Sequence, residues 1–189
     1  MTIQLPTTQE LVSLFASRLA AVGGHASTAT DSEAVASSIL AIAAVAAAPT
    51  IWVSEDVTRQ APDLVACLQR VGFETRVPAN PAEVRDQPLG LAIAEGAIAE
   101  TGSVILSEPH VNSRSVTLMT ETLIVVCPLA ALMPSLDKAA EVLRTISARG
   151  ASYATFVTGP SRTADIERQL TVGVQGPSVF HVVLVDELT

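Results

Sequence analysis

Apolar residues recur at helical spacing in two stretches near the start of the chain. Thr7 followed by Glu10 has the form of a capping box, and Leu11, Leu14, Phe15 and Leu19 follow at three- and four-residue intervals. This predicts a helix from Thr8 to Val22, ended by Gly23-Gly24. Thr30 with Glu33 repeats the signal and predicts a second helix through Ile39 and Ile42 to about Ala48, where Pro49 stops it. The stretch ILAIAAVAAA (39–48) is apolar on every side and reads as a buried helix. It falls far short of the roughly 20 residues needed to span a bilayer, so no membrane span is expected.

Beyond residue 50 the pattern alternates between short apolar runs and helical spacing. IWVS (51–54) reads as a buried strand, Arg59 to Val71 as a helix ended by Gly72, and FETRV (73–77) as the next strand. Pro78, Pro81 and Pro88 mark a loop. LGLAIAE (89–95) and SVILS (103–107) read as strands flanking GAIAETG, and SEPHVNSR (107–114) as an exposed loop. TLIVVC (122–127), SYATFVT (152–158) and VFHVVLVDE (179–187) read as strands, with helices at Leu136 to Ala148 and Thr163 to Leu170. Helices placed between fully apolar strands predict an α/β fold, a three-layer αβα domain with a mostly parallel sheet whose ligands sit at the carboxyl ends of strands. At 189 residues one domain is expected, with residues 1–48 forming N-terminal helices packed on the sheet.

Composition narrows the function classes. A net charge of −8, scattered basic residues and 3% aromatics oppose nucleic-acid binding, which needs clustered Lys and Arg and stacking surfaces. MTIQLPTTQE lacks the basic region and apolar core of a secretory signal, so a cytoplasmic location is expected. Cys67 and Cys127 stand apart, without a CxxC pair or a nearby His. They supply neither a zinc site nor a four-thiolate cluster, and no metal site or cofactor is expected in this chain; both read as buried thiols.

Two stretches carry candidate chemistry. In TGPSRTADIE (158–167), Gly159-Pro160 turns the chain after a strand, and Ser161, Arg162 and Thr163 precede the predicted helix. Free backbone N–H groups, two hydroxyls and a guanidinium there suit an anion. The same residues equally make an ordinary helix start, with Thr163 as N-cap and Asp165 and Glu167 complementing the dipole. In AIAETGS (97–103), Glu100 is a general base, a nucleophile or a ligand clamp, or else a solvated loop carboxylate, and Gly102 allows a tight turn. Arg114 is the other basic candidate. His25 reads as a surface residue, His110 as a loop residue and His181 as a core-strand histidine.

Taken in order, AIAETGSVIL (97–106), the Arg114 segment, TGPSRTADIE and VGVQGP (172–177) resemble the LUD-domain family, in particular its lactate-utilisation protein C group. The resemblance implies a fold similar to ribose-phosphate isomerases, glucosamine-phosphate deaminases and CoA transferases. It also implies a cluster-free component of an L-lactate to pyruvate oxidation system, with iron–sulfur clusters in partner subunits. Glu100, Thr101 and Gly102 match the family's Glu-Thr-Gly, and Gly159 to Asp165 match its Gly-Pro-Ser-x-Thr-x-Asp segment. Gly173, Gly176 and Pro177 match Gly-Val-His-Gly-Pro, with Gln175 where the family has His; Gln hydrogen-bonds but shuttles no proton. Thr120 and Leu123 stand where the family tends to carry Pro and His. The expected site for a small anionic ligand therefore comprises Glu100 as the catalytic candidate, with Thr101, Gly102, Arg114, Gly159, Ser161, Arg162, Thr163, Asp165, Gln175 and Gly176. The alternatives are a stand-alone enzyme on a small phosphorylated or acyl substrate, or a structural or regulatory subunit.

Overall fold

The structure is a computed structural model that describes residues 6–46, 48–150, 153–163, 171–172 and 176–188. In chain order the elements are α1 (Thr8–Ala21), β1 (His25–Ala29), α2 (Ser32–Ala46), β2 (Thr50–Val53), α3 (Glu55–Gln60), α4 (Pro62–Arg70), β3 (Glu74–Arg76), β4 (Leu89–Ile93), β5 (Gly96–Ile98) and β6 (Ser103–Ser107). Then follow α5 (Val111–Met119), β7 (Thr122–Pro128), β8 (Leu132–Met133), α6 (Ala139–Ala148), β9 (Ala154–Val157), β10 (Arg162–Thr163), β11 (Thr171–Val172) and β12 (Val179–Val185).

Six strands form the central sheet in the order β1-β12-β7-β4-β2-β3, all parallel. Both faces are covered, as the continuous apolar runs predict. Leu89, Leu91 and Ile93 of β4, with Ile124 and Val126 of β7 and Val183 and Val185 of β12, pack against α2, α3 and α4. The alternate residues Ala92, Leu123, Val125, Phe180 and Val182 face Phe15 and Leu19 of α1 and a second sheet. That second sheet, in the order β8-β5-β6-β9, is backed by α6 through Ile98, Ile105 and Ile146. α5 completes this layer over β2 and β4, where Val116 packs with Trp52 and Val84. The result is the expected three-layer αβα arrangement, with one outer layer built partly from a small sheet. No helix among the described residues is long and apolar enough to cross a membrane.

Local chemistry accounts for most element ends. The Thr7–Glu10 capping box forms as expected. The second helix is capped instead by Asp31, whose Oδ1 accepts the Ala34 N–H at 2.9 Å. The single helix expected at Arg59–Val71 is two helices, because Pro62 opens α4 as its first residue and holds Ala61 out of helical geometry. α2 is not buried all round: Val35, Ala36, Ile39 and Ala43 face the sheet, while Leu40 and Val45 are exposed. β1 and β5 fall in segments that the apolar pattern did not mark as strands. SEPHVNSR is not an exposed loop, since its second half begins α5 and Glu108 is buried.

Candidate functional site

Three segments meet at the last turn of α1. Gly24 packs on the Leu19 side chain and against Gly159, where any Cβ would collide. A Cβ on Gly102 would lie 2.5 Å from the Leu19 backbone nitrogen, and Gly102 has φ +69°. One on Gly159, at φ +88°, would lie 2.9 Å from Val22. These glycines let the β5–β6 turn and the segment after β9 lie directly on the helix backbone. A hydroxyl chain ties the two segments together: Ser103 Oγ lies 2.7 Å from Thr101 Oγ1 and 2.5 Å from Thr158 Oγ1. The Arg162 guanidinium donates to the Val22 carbonyl and so caps the helix's carboxyl end. Glu100 Oε2 accepts the Leu136 N–H at 3.0 Å, satisfying a free donor at the start of the turn that leads into α6.

The turn after β9 is therefore not at a carboxyl end of the parallel sheet. β9 belongs to the second sheet, antiparallel to β6, and the turn lies against the end of α1 just before β1. No helix starts at Thr163, because Arg162 and Thr163 form a short strand paired with Thr171–Val172. The rest of the predicted helix, 164–170, lies outside the described residues, as do Asp165, Gly173 and Gln175. Ser161 donates its N–H to the Pro177 carbonyl at 2.8 Å, and Gly176 sits against the Ser161 side chain. Gly176 borders a cleft of about 720 Å³ at the amino ends of the strands, lined also by Arg85, Asp86, Glu121 and Ser178. Beside it, exposed His25 stacks on half-buried His181, ring centroids 4.7 Å apart. Burial, and secondarily His25, lowers the pKa of His181.

Arg114 occupies a different place. It projects from α5, donates through Nη1 to the carbonyls of Glu108 and Pro109 at 2.8 Å each, and lies 4.4 Å from the Tyr153 ring centroid. No contact among the described residues joins it to Glu100 or Arg162. It does bring Glu108 into view, a residue absent from the sequence-based candidates. Glu108 is 3% exposed at the end of β6, and Oε2 is hydrogen-bonded to Thr117 Oγ1 at 2.7 Å. Burial pushes its carboxyl up to about 8, against the Thr117 hydrogen bond; nearby Asp56 adds to the rise and Arg114 opposes it. Burial thus favours the protonated form of the group.

The buried side chains of α5 include Ser113, Ser115 and Thr117 beside Val116, and Ser115 Oγ donates to the Asn112 carbonyl at 2.6 Å. One turn from Thr117, Ser113 Oγ accepts the Glu55 N–H at 3.3 Å, which ties the end of β2 to the same helix face. Among the described residues, the buried side-chain atoms without a hydrogen-bond partner are Trp52 Nε1, Ser54 Oγ and Glu108 Oε1. All three border α5. Next to them a cleft of about 320 Å³ is lined by Ser107 and Pro109, which flank Glu108, and by Asp56, Arg59, Glu95, His110 and Arg149. Arg59 pairs with Asp56, and Arg149 with Glu95 at 2.7 Å. This is the carboxyl end of β2 and β4, the side on which open α/β sheets bind ligands. The sequence signal for Glu108 was a carboxylate directly closing an apolar strand.

Residues 12–185 match the LUD domain. The chain belongs to the LUD-domain family. Among curated relatives this LUD domain is 36% identical over 119 residues to lactate utilization protein C of Oceanobacillus iheyensis, covering 61% of this chain and 49% of that protein. It is 35% identical over 102 residues to lactate utilization protein C of Bacillus subtilis, covering 52% and 42%. The chain thus spans about half the length of the curated relatives it matches. A DUF162 family protein from Deinococcus radiodurans shares the fold, with a TM-score of 0.70 over 96% of this chain and 99% of that one, at 19% identity. Both cysteines of this LUD domain are buried, and burial pushes the Cys127 thiol up to about 12.

Proposed function

We propose that this LUD domain is a component of an L-lactate utilisation system in the cytoplasm, that it binds a small anionic ligand, and that iron–sulfur subunits carry the electrons. The observation behind this is the 36% identity to a lactate utilization protein C within a family match that runs nearly the full length of the chain. Two buried cysteines cannot ligate a four-thiolate cluster, so the electron chemistry of lactate oxidation falls to partners. Arg114, whose guanidinium donates to the carbonyl of buried Glu108, is the basic residue that the anionic ligand is proposed to meet.

Deletion of the gene should abolish growth of the source organism on L-lactate as sole carbon source and leave growth on glucose intact, with rescue by the gene in trans. Affinity-tagged protein should co-purify with iron–sulfur polypeptides under anaerobic conditions. Unimpaired growth of the deletion strain on L-lactate would refute the proposal.

A further inference from the structure

After Glu33, α2 carries no charged residue, and none follows in the chain until Glu55. A helix on a protein surface ordinarily sets charged and polar groups opposite its apolar stripe. α2 instead has apolar residues on both sides. Val35, Ala36, Ile39 and Ala43 are buried against the sheet, while Ser37, Leu40, Ala41, Ala44 and Val45 are exposed, at the i, i+3, i+4, i+7 and i+8 spacing of one outer stripe. Leu40 is 45% exposed and Val45 90%. The polar member of the stripe, Ser37, turns its hydroxyl back to the Glu33 carbonyl at 2.9 Å. Contiguous exposed apolar surface of this kind marks an interaction site.

Beside the stripe lies a cavity of about 560 Å³, lined by Ala41, Ile42, Val45 and Ala46 of α2, by Val179 of β12 and by the stacked His25–His181 pair. We infer that this face is the interface between two copies of the chain, packed about a two-fold axis with the exposed Val45 of each seated in the cavity of the other. The face is self-complementary: it presents a projecting side chain and a recess side by side, as a closed two-fold contact requires. Charge also selects a second copy. Two molecules of net charge −8 repel one another through most of their surface, and an uncharged helix is where they can approach. Ser37, Ala41 and Ala44 are small, which lets two α2 helices pack at the short end of the usual interaxial range of roughly 8–10 Å. Polar groups flank the apolar centre, with the Glu33–Arg70 ion pair at 3.0 Å at the start of the helix and Glu121 and Ser178 lining the cavity. α2 covers one face of the main sheet and α1 with the second sheet covers the other, so the interface leaves the family's motif residues open and is independent of the proposed role in lactate utilisation.

Sedimentation velocity of the purified protein, from micromolar to hundreds of micromolar concentration, tests the interface. Wild type should sediment as a dimer, with an unfolding midpoint that rises with protein concentration. Val45→Glu should weaken self-association at least tenfold. Because Val45 is 90% exposed, the variant should keep the wild-type circular dichroism spectrum and unfold cooperatively, at a midpoint that no longer depends on concentration. Val45→Lys should behave as Val45→Glu does, and an equimolar mixture of the two should regain the dimer. Residue 45 lines the same cavity that receives its counterpart, so opposite charges meet there. A wild type that stays monomeric throughout overturns the inference, and so does a dimer that Val45→Glu leaves intact, which would put the contact on another face. A monomeric wild type whose co-purifying polypeptides are lost in Val45→Glu would also overturn it and assign the face to a different protein.

Discussion

Around the last turn of α1, the family's motif residues meet surfaces shaped for them: Gly102 and Gly159 lie on helix backbone, Arg162 caps a carbonyl, and Glu100 satisfies an N–H. Beneath α5, by contrast, Ser54 and Glu108 are buried, each with a side-chain oxygen that has no partner among the described residues. The first region is what holds two layers together. The second holds polar side chains in a buried helix interface. The family signature therefore includes residues that hold the scaffold.

The largest effect that would sharpen this contrast is the pH dependence of stability. Unfolded Glu108 titrates near its ordinary 4.5 and the folded group near 8. Between these values the folded state keeps a proton that the unfolded state has released, so stability falls as pH rises through that window and levels off above it. At about 1.4 kcal/mol per pH unit, the contribution has a ceiling of about 5 kcal/mol. Urea denaturation of wild type and Glu108→Gln from pH 5 to 9 should show this slope in wild type and its loss in the variant. Equal slopes would mean that Glu108 is not the buried acid described.

Next in size is Gly102→Ala, which forces a Cβ onto the Leu19 backbone at a left-handed φ. Overpacking and backbone strain together should cost roughly 2–4 kcal/mol. A midpoint within error of wild type would show that the β5–β6 turn moves off α1 without penalty. Arg162→Ala removes an exposed cap and should cost about 1 kcal/mol. Smallest of all, Glu100→Gln should change stability by no more than about 0.5 kcal/mol, because an amide oxygen still accepts the Leu136 N–H. A Glu100→Gln variant that fails to support growth on L-lactate at normal protein levels would place Glu100 in the chemistry.

The sequence made the sheet legible because its strands are buried on both faces and read as unbroken apolar runs, as in TLIVVC and VFHVVLV. β1 was not legible: HASTA is polar, lies at the sheet edge, and takes its register from pairing His25 with His181 rather than from any pattern of its own. α5 escaped for a related reason, since Ser113, Ser115 and Thr117 on its buried side erase the apolar periodicity by which helices are recognised. Of the candidate residues, Arg114 was found from its charge, whereas Glu108 looks like an ordinary loop carboxylate until burial is known. The short strand at Arg162–Thr163 was misjudged because Gly-Pro followed by Ser and Thr is also how many helices begin, and only the pairing with Thr171–Val172 distinguishes the two.

The most direct test sets one residue from each region side by side: calorimetric titration with pyruvate at pH 6.5 of wild type, Arg162→Ala and Arg114→Ala. The account predicts that Arg162→Ala binds with wild-type affinity despite its lower stability, and that Arg114→Ala binds at least tenfold more weakly. Loss of binding in Arg162→Ala with wild-type affinity in Arg114→Ala would contradict it and return the ligand to the turn after β9.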